Sequence, residues 1–186
     1  GAMSEPTVTV NGQQAAYWAY GYNAFRVDIT PMARFGDKEN TIEVHLKNME
    51  ESSRWYPGGG IYRPVTLILT GDNHLDQWET FARTISASKD TATVAVDAKI
   101  VRKDIIKNSG AEVELFDNSN QLVAASHCNI GQDGKLSTKL TVRKPHLWSP
   151  ETPYLYRIKI TYKENRKAVD AQTVNIGIRT IRFSAE

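Results

Sequence analysis

One cysteine, Cys128, stands among 186 residues, so an internal disulfide is excluded and packing and strand ladders must hold the fold. The redox compartment stays open. No neighbouring motif supplies an activating base, and Cys128 reads as a small apolar residue and not as a reactive thiol. Long apolar runs are also missing: none approaches the length of a membrane span or a signal-peptide core, so no membrane is expected among the partners. Charge of one sign is scarce. The net value is +2, with Lys and Arg scattered and no basic stripe, so no nucleic acid is expected either. Histidine is sparse and dispersed. His45 has no acid, cysteine or second histidine at ligand spacing, His127 and His146 lack companions at catalytic spacing, and Ser126 beside His127 is only a sequence neighbour. Without a triad, a zinc motif or a phosphate loop, no metal, cofactor or catalytic residue is expected.

What the chain has is β-pattern. Gly1, Ala2 and Met3 look foreign, and residues 1–4 read as a cloning remnant, with any natural targeting segment removed. Thr7–Val10 alternates and meets Asn11 and Gly12, the pair suited to a tight hairpin turn at positive φ; Gln13 to Tyr20 is the expected return strand. Trp18 and Tyr20 lie on one of its faces, where core packing and packing against a neighbouring surface both account for them. Phe25, Val27 and Ile29 alternate with Arg26 and Asp28 as a half-wet strand, and Thr30 followed by Pro31 has the form of an N-cap and first helical position, predicting one helical turn through Phe35. Ile42, Val44 and Leu46 mark another strand. Val65–Leu69 is an apolar, β-branched run that reads as a buried strand.

Gly71, Asp72 and Asn73 form a polar hinge, dividing the chain at 72/73 into domains 5–72 and 73–186. Beyond the hinge about seven strands recur between turn residues, the count of an immunoglobulin-like sandwich. They include an irregular Leu75–Ser86, a face of Val94, Val96, Ala98 and Ile100, and a return over Leu122–Cys128. Prolines 145, 150 and 153 cannot donate to a ladder, so Pro145–Tyr156 is expected to cross the sandwich end, anchored by Leu147 and Trp148, with Trp78 and Phe81 also serving the core.

The densest stretch is SSRWYPGGGIYRPV, Ser52–Val65. Three glycines open backbone conformations closed to other residues, after a charge and two aromatic faces at Arg54, Trp55 and Tyr56. Glu50 and Glu51 just before it are adjacent, so in an extended segment they point apart and cannot share one reaction centre.

This stretch resembles the loop and strand that close the sugar-binding jelly roll of glycoside hydrolase family 2, the family of β-galactosidases, β-glucuronidases and β-mannosidases. VTVNGQ, GYNAFRVDIT and NTIEVHLKN are similar to the strands before it; HLDQWETFART, PHLWSPETPYLY and GIRTIRF resemble the family's second domain. The resemblance implies an all-β chain: a partial, galactose-binding-like jelly-roll sandwich followed by an immunoglobulin-like β-sandwich. It also implies a non-catalytic fragment of a retaining β-glycosidase, with a β-galactosidase foremost. The early jelly-roll strands and the catalytic barrel are absent, and that barrel would carry the two acids held about 5 Å apart. The implied partners are a β-linked carbohydrate and the missing barrel. By resemblance Arg54, Trp55 and Tyr56 edge the substrate pocket, or Arg54 pairs with a barrel acid while Trp55 packs there; some relatives carry an acid at Ser53 or Arg54. A free carbohydrate-binding module and an adhesion sandwich remain as alternatives. Exposed strand edges of half a jelly roll predict a homodimer.

Overall fold

Two units, Gly1–Ile68 and Leu69–Glu186, make up the computed structural model, which describes residues 1–51, 58–104 and 106–184. Both are all-β as expected: there is no helix among the described residues, and every strand pairing is antiparallel.

In the first unit Ala2–Met3 (β1), Thr7–Val10 (β2), Gln13–Tyr17 (β3), Ile42–His45 (β4) and Gly60–Ile61 (β5) form two small sheets, β3-β2-β4 and β1-β5. The β2–β3 turn is the one expected: Asn11 and Gly12 both take positive φ, 52° and 82°, the twist that matches the flanking strands. Val8 and Val10 are buried and the residues beside them are not, which sets the register of β2 against both neighbours.

Residues 1–4, read as a cloning remnant, take part in the unit: Ala2 and Met3 are buried and pair with Ile61 and Gly60. Three expectations fail here. The helical turn is a single hydrogen-bonded bend. The Ile29 carbonyl accepts the Met32 and Ala33 N–H groups, but the Asp28 carboxylate, not Thr30, caps it, and Asn40 takes both Arg34 backbone groups and stops further winding. Phe25, Val27 and Ile29 do alternate in burial but join no ladder among the described residues. Val65–Leu69 is not buried. Val65 and Leu69 are 76% and 81% exposed, because a strand is buried only by a neighbour and a covering layer, and the described residues provide neither.

Among its described residues the second unit has eight strands: His74–Leu75 (β6), Phe81–Ala87 (β7), Thr91–Val101 (β8), Ser109–Phe116 (β9), Leu122–Cys128 (β10), Lys135–Arg143 (β11), Tyr156–Glu164 (β12) and Lys167–Ile176 (β13). One sheet runs β10-β9-β12-β13. In the other, β8 pairs with β11 along its length and with β6 and β7 over successive stretches. The two inner faces make one core, with Val94, Val96, Ala98 and Ile100 against Val113, Leu115, Ile158, Ile160 and Tyr162, and Cys128 among them as an apolar residue.

Leu75–Ser86 is two strands because Asp76 breaks it: its backbone N–H reaches the Lys99 carbonyl while its carboxylate accepts the Trp78 N–H, a local turn. That turn carries Trp78 and Phe81 outward, 58% and 59% exposed, so neither serves the core. Side chains of β13 close the sandwich where β6 has no backbone partner on it. Asp170 accepts the Leu75 N–H at 2.8 Å, and Gln172 donates to the Leu75 carbonyl at 2.8 Å. The proline-rich crossing is held by Trp148, whose N–H reaches the Ile178 carbonyl and whose ring lies under the Arg179 guanidinium at 4.2 Å. Leu147 is 37% exposed and stands outside the buried core cluster.

Candidate functional site

Arg54, Trp55 and Tyr56 lie outside the described residues. Their flanks are described, and the fold holds both to the same five residues. On the far side, Gly1 accepts the Tyr62 and Arg63 N–H groups at 3.1 and 3.4 Å beside the β1–β5 pairing. On the near side, the Ser4 carbonyl accepts the Lys47 N–H at 2.9 Å, the Ser4 hydroxyl donates to the Lys47 carbonyl at 2.6 Å, and Lys47 faces Glu5 at 3.6 Å. Gly60 sits at φ 135°, a conformation that favours glycine, and Gly21 lies close under Met3, whose side chain would have to shift for a Cβ there.

Around these flanks stands a group of half-exposed rings. Trp18 stacks on Phe25 at 5.9 Å and 15°, and Tyr20 meets Tyr22 at 5.6 Å and a 54° tilt. Tyr62 donates its hydroxyl to the Gly21 carbonyl at 2.7 Å, and Arg63 donates to the Tyr22 carbonyl at 2.9 Å. Planar, partly wet rings with polar rims can stack on a pyranose as well as on another protein surface. Tyr62, Arg63 and Gly1–Glu5 were missed in the sequence: IYR reads as a lead into a strand, and only the apolar pair Ala2–Met3 hints that the first residues pack.

The carboxyl shifts that are resolved among the described residues all run downward, each through local hydrogen bonds. Hydrogen bonds from the Thr30 hydroxyl and N–H pull Asp28 down; Ser137 and then Arg83 lower Asp97; Lys163 lowers Glu112; backbone N–H groups lower Asp133 and Glu151. The histidines are dispersed, with His74 on the Gly71 carbonyl, His127 3.8 Å from Glu112 and His146 stacked on Tyr154. No group of three or more metal-ligating side chains occurs among the described residues. A depression of about 290 Å³ beside β8 and β11 is lined by Glu79, Asp97, Lys99, Lys135 and Ser137, two of whose charges are engaged in Arg83–Asp97 and Lys135–Asp133 pairs.

Residues 73–179, more than half of the chain, match the family model described as glycosyl hydrolases family 2. A β-galactosidase of Bacteroides ovatus is 32% identical over 191 residues, covering 100% of this chain and 22% of the relative. A β-glucuronidase of Formosa agariphila is 29% identical, covering 96% and 21%. A solved glycosyl hydrolase family 2 member from Bacteroides cellulosilyticus superposes with a TM-score of 0.94 at 35% identity, over 100% of this chain and 24% of its own. The chain spans about a fifth of the length of the curated relatives it matches.

Proposed function

The chain belongs to glycosyl hydrolase family 2, and on that premise we propose that it is the non-catalytic portion of a retaining β-glycosidase that removes terminal β-linked sugars, β-galactosides foremost. In this reading the first unit is a partial jelly roll bordering the substrate pocket, and the second is an immunoglobulin-like sandwich bracing a catalytic barrel supplied by the rest of the parent. The observation that carries it is the match itself: both units align end to end with enzymes of this family, yet over only about a fifth of their length.

Arg54, Trp55 and Tyr56 are assigned to the pocket edge, on a loop whose two flanks share one anchor in Gly1–Glu5. The isolated chain is expected to release nothing from an aryl β-galactoside and to show no saturable tryptophan-fluorescence change with simple galactosides. In the parent enzyme, Arg54→Ala and Trp55→Ala should each lower kcat/KM about tenfold, roughly 1.4 kcal/mol of transition-state binding. Turnover by the isolated chain sinks the reading. Saturable binding lost in Trp55→Ala would favour a carbohydrate-binding module instead, which the half-exposed Trp18, Tyr20 and Tyr62 also suit.

The exposed run Val65–Leu69, without a ladder partner among the described residues, supports pairing with a second copy. Light scattering of the isolated chain should give twice the chain mass, and Leu67→Lys should return it to the single mass. A monomer at high concentration refutes the dimer.

A further inference from the structure

Asn11–Gly12 is the only Asn-Gly step in the chain, and this step loses its side-chain amide most readily because no Cβ shields the following nitrogen. The Gly12 backbone nitrogen attacks Asn11 Cγ, a C–N bond forms, the Cγ–Nδ2 bond breaks, and ammonia leaves carrying the displaced proton. Water then opens the succinimide to aspartate or isoaspartate, with no oxidant or reductant involved.

In the folded unit the carboxamide is tied down at both ends. Asn11 Nδ2 donates to the Met32 carbonyl at 2.8 Å and to Asn40 Oδ1 at 3.0 Å, while Asn11 Oδ1 accepts the Thr41 N–H at 3.1 Å. The Asn11 N–H donates to the Thr41 carbonyl at 2.9 Å, so main chain and side chain together prolong the β2–β4 ladder by one residue. Asn40 cannot turn to accommodate a change. Its Oδ1 also accepts the Arg34 N–H at 2.7 Å, and its Nδ2 donates to the Arg34 carbonyl at 2.8 Å. Cγ therefore cannot swing onto Gly12 without breaking three hydrogen bonds.

We propose that Asn11 is a latent deamidation site, kept as the amide by Met32, Asn40 and Thr41 and converted to aspartate or isoaspartate whenever the β2–β4 edge opens. The conversion runs one way. An aspartate has no donor, so its carboxylate would face the Met32 carbonyl and Asn40 Oδ1, acceptor against acceptor, and the edge could not close as before. Isoaspartate also adds a backbone atom to a turn that has no room in its register.

The test is a peptide mass map of the intact chain aged at mildly alkaline pH, reading the amide-to-acid mass gain at Asn11. The native chain should convert at least about tenfold more slowly than the chain in concentrated urea, and Asn40→Ala, which removes one of the three bonds, should raise the native rate part of the way towards the unfolded rate without urea. Equal rates in native and unfolded wild type, or an unchanged rate in a folded Asn40→Ala, overturn the proposal. Should Asn40→Ala not fold, the wild type across a urea series decides: conversion that tracks opening of the first unit supports it, and conversion independent of urea refutes it.

Discussion

Gly134→Ala should lower the unfolding free energy of the second unit by about 2–5 kcal/mol, a large fraction of what a domain of this size has. Two causes act at one position. Gly134 sits at φ +81°, where a Cβ costs about 1–2 kcal/mol by itself. That Cβ would also stand 2.4 Å from the Ile100 carbonyl oxygen, a backbone atom of the central strand that cannot swing aside. The turn has no slack to absorb it. Gly134 donates to the Gly131 carbonyl at 3.0 Å and accepts the Ile100 N–H at 2.8 Å, while Arg102 holds the Gly131 and Gln132 carbonyls at 2.7 Å each. Gly36→Ala is the matched control: its φ is +78° and nothing lies within 4 Å of the added methyl, so it should cost only the backbone strain, about 1–2 kcal/mol. Urea unfolding read by amide exchange in β8 and β11 for Gly134, and in β2 for Gly36, separates the causes. Equal costs would show that the contact with Ile100 is harmless.

The second large effect appears in alkali. Tyr162 is fully buried, and burial first, then its 2.6 Å hydrogen bond to Glu164, pushes its pKa from 10.0 to about 12. A group whose folded pKa is raised stabilises the fold in its protonated form. The contribution is complete below pH 10 and is lost as pH climbs from there through 12, amounting to roughly 2–3 kcal/mol. Tyr162→Phe removes the ionisation and should flatten this alkaline decline, while costing about 1–2 kcal/mol at neutral pH through the lost bond to a charged acceptor. Glu164 would still accept from Asn73 at 2.7 Å, so the variant leaves no bare carboxylate. Urea midpoints of both proteins from neutral pH to 12 test it, and parallel declines would mean that other groups govern the alkaline transition.

Local pattern was enough wherever a residue's neighbours in the chain decide its state. Asn11 and Gly12 take positive φ in a hairpin because few other pairs do so cheaply, and Val94 to Ile100 alternate inward because a period of two is a property of any strand. Leu122–Cys128 was legible to the residue, bounded by its turns. Where the state depended on something distant, the pattern misled. Val65–Leu69 has the composition of a buried strand, yet composition supplies no partner. Trp78 and Phe81 are apolar, yet the Asp76 turn carries them to the surface. Gly1 to Ser4 look dispensable until Gly60, Ile61 and Lys47 are seen to bond them.

By itself, then, the chain's order of residues determined an all-β protein, its hairpin turn, the inward face of its central strand and the family whose loop it carries, because each depends on short-range sterics, periodicity or a contiguous motif. Tertiary structure alone decided that both flanks of the loop are fastened to the first five residues, that Asp170 and Gln172 seal the sandwich edge, and that Asn40 guards Asn11. Those pairs lie about 30 to 100 positions apart in sequence, and nothing in the spacing of either partner records the other, since hydrogen bonds between distant side chains follow from how the sheets are stacked.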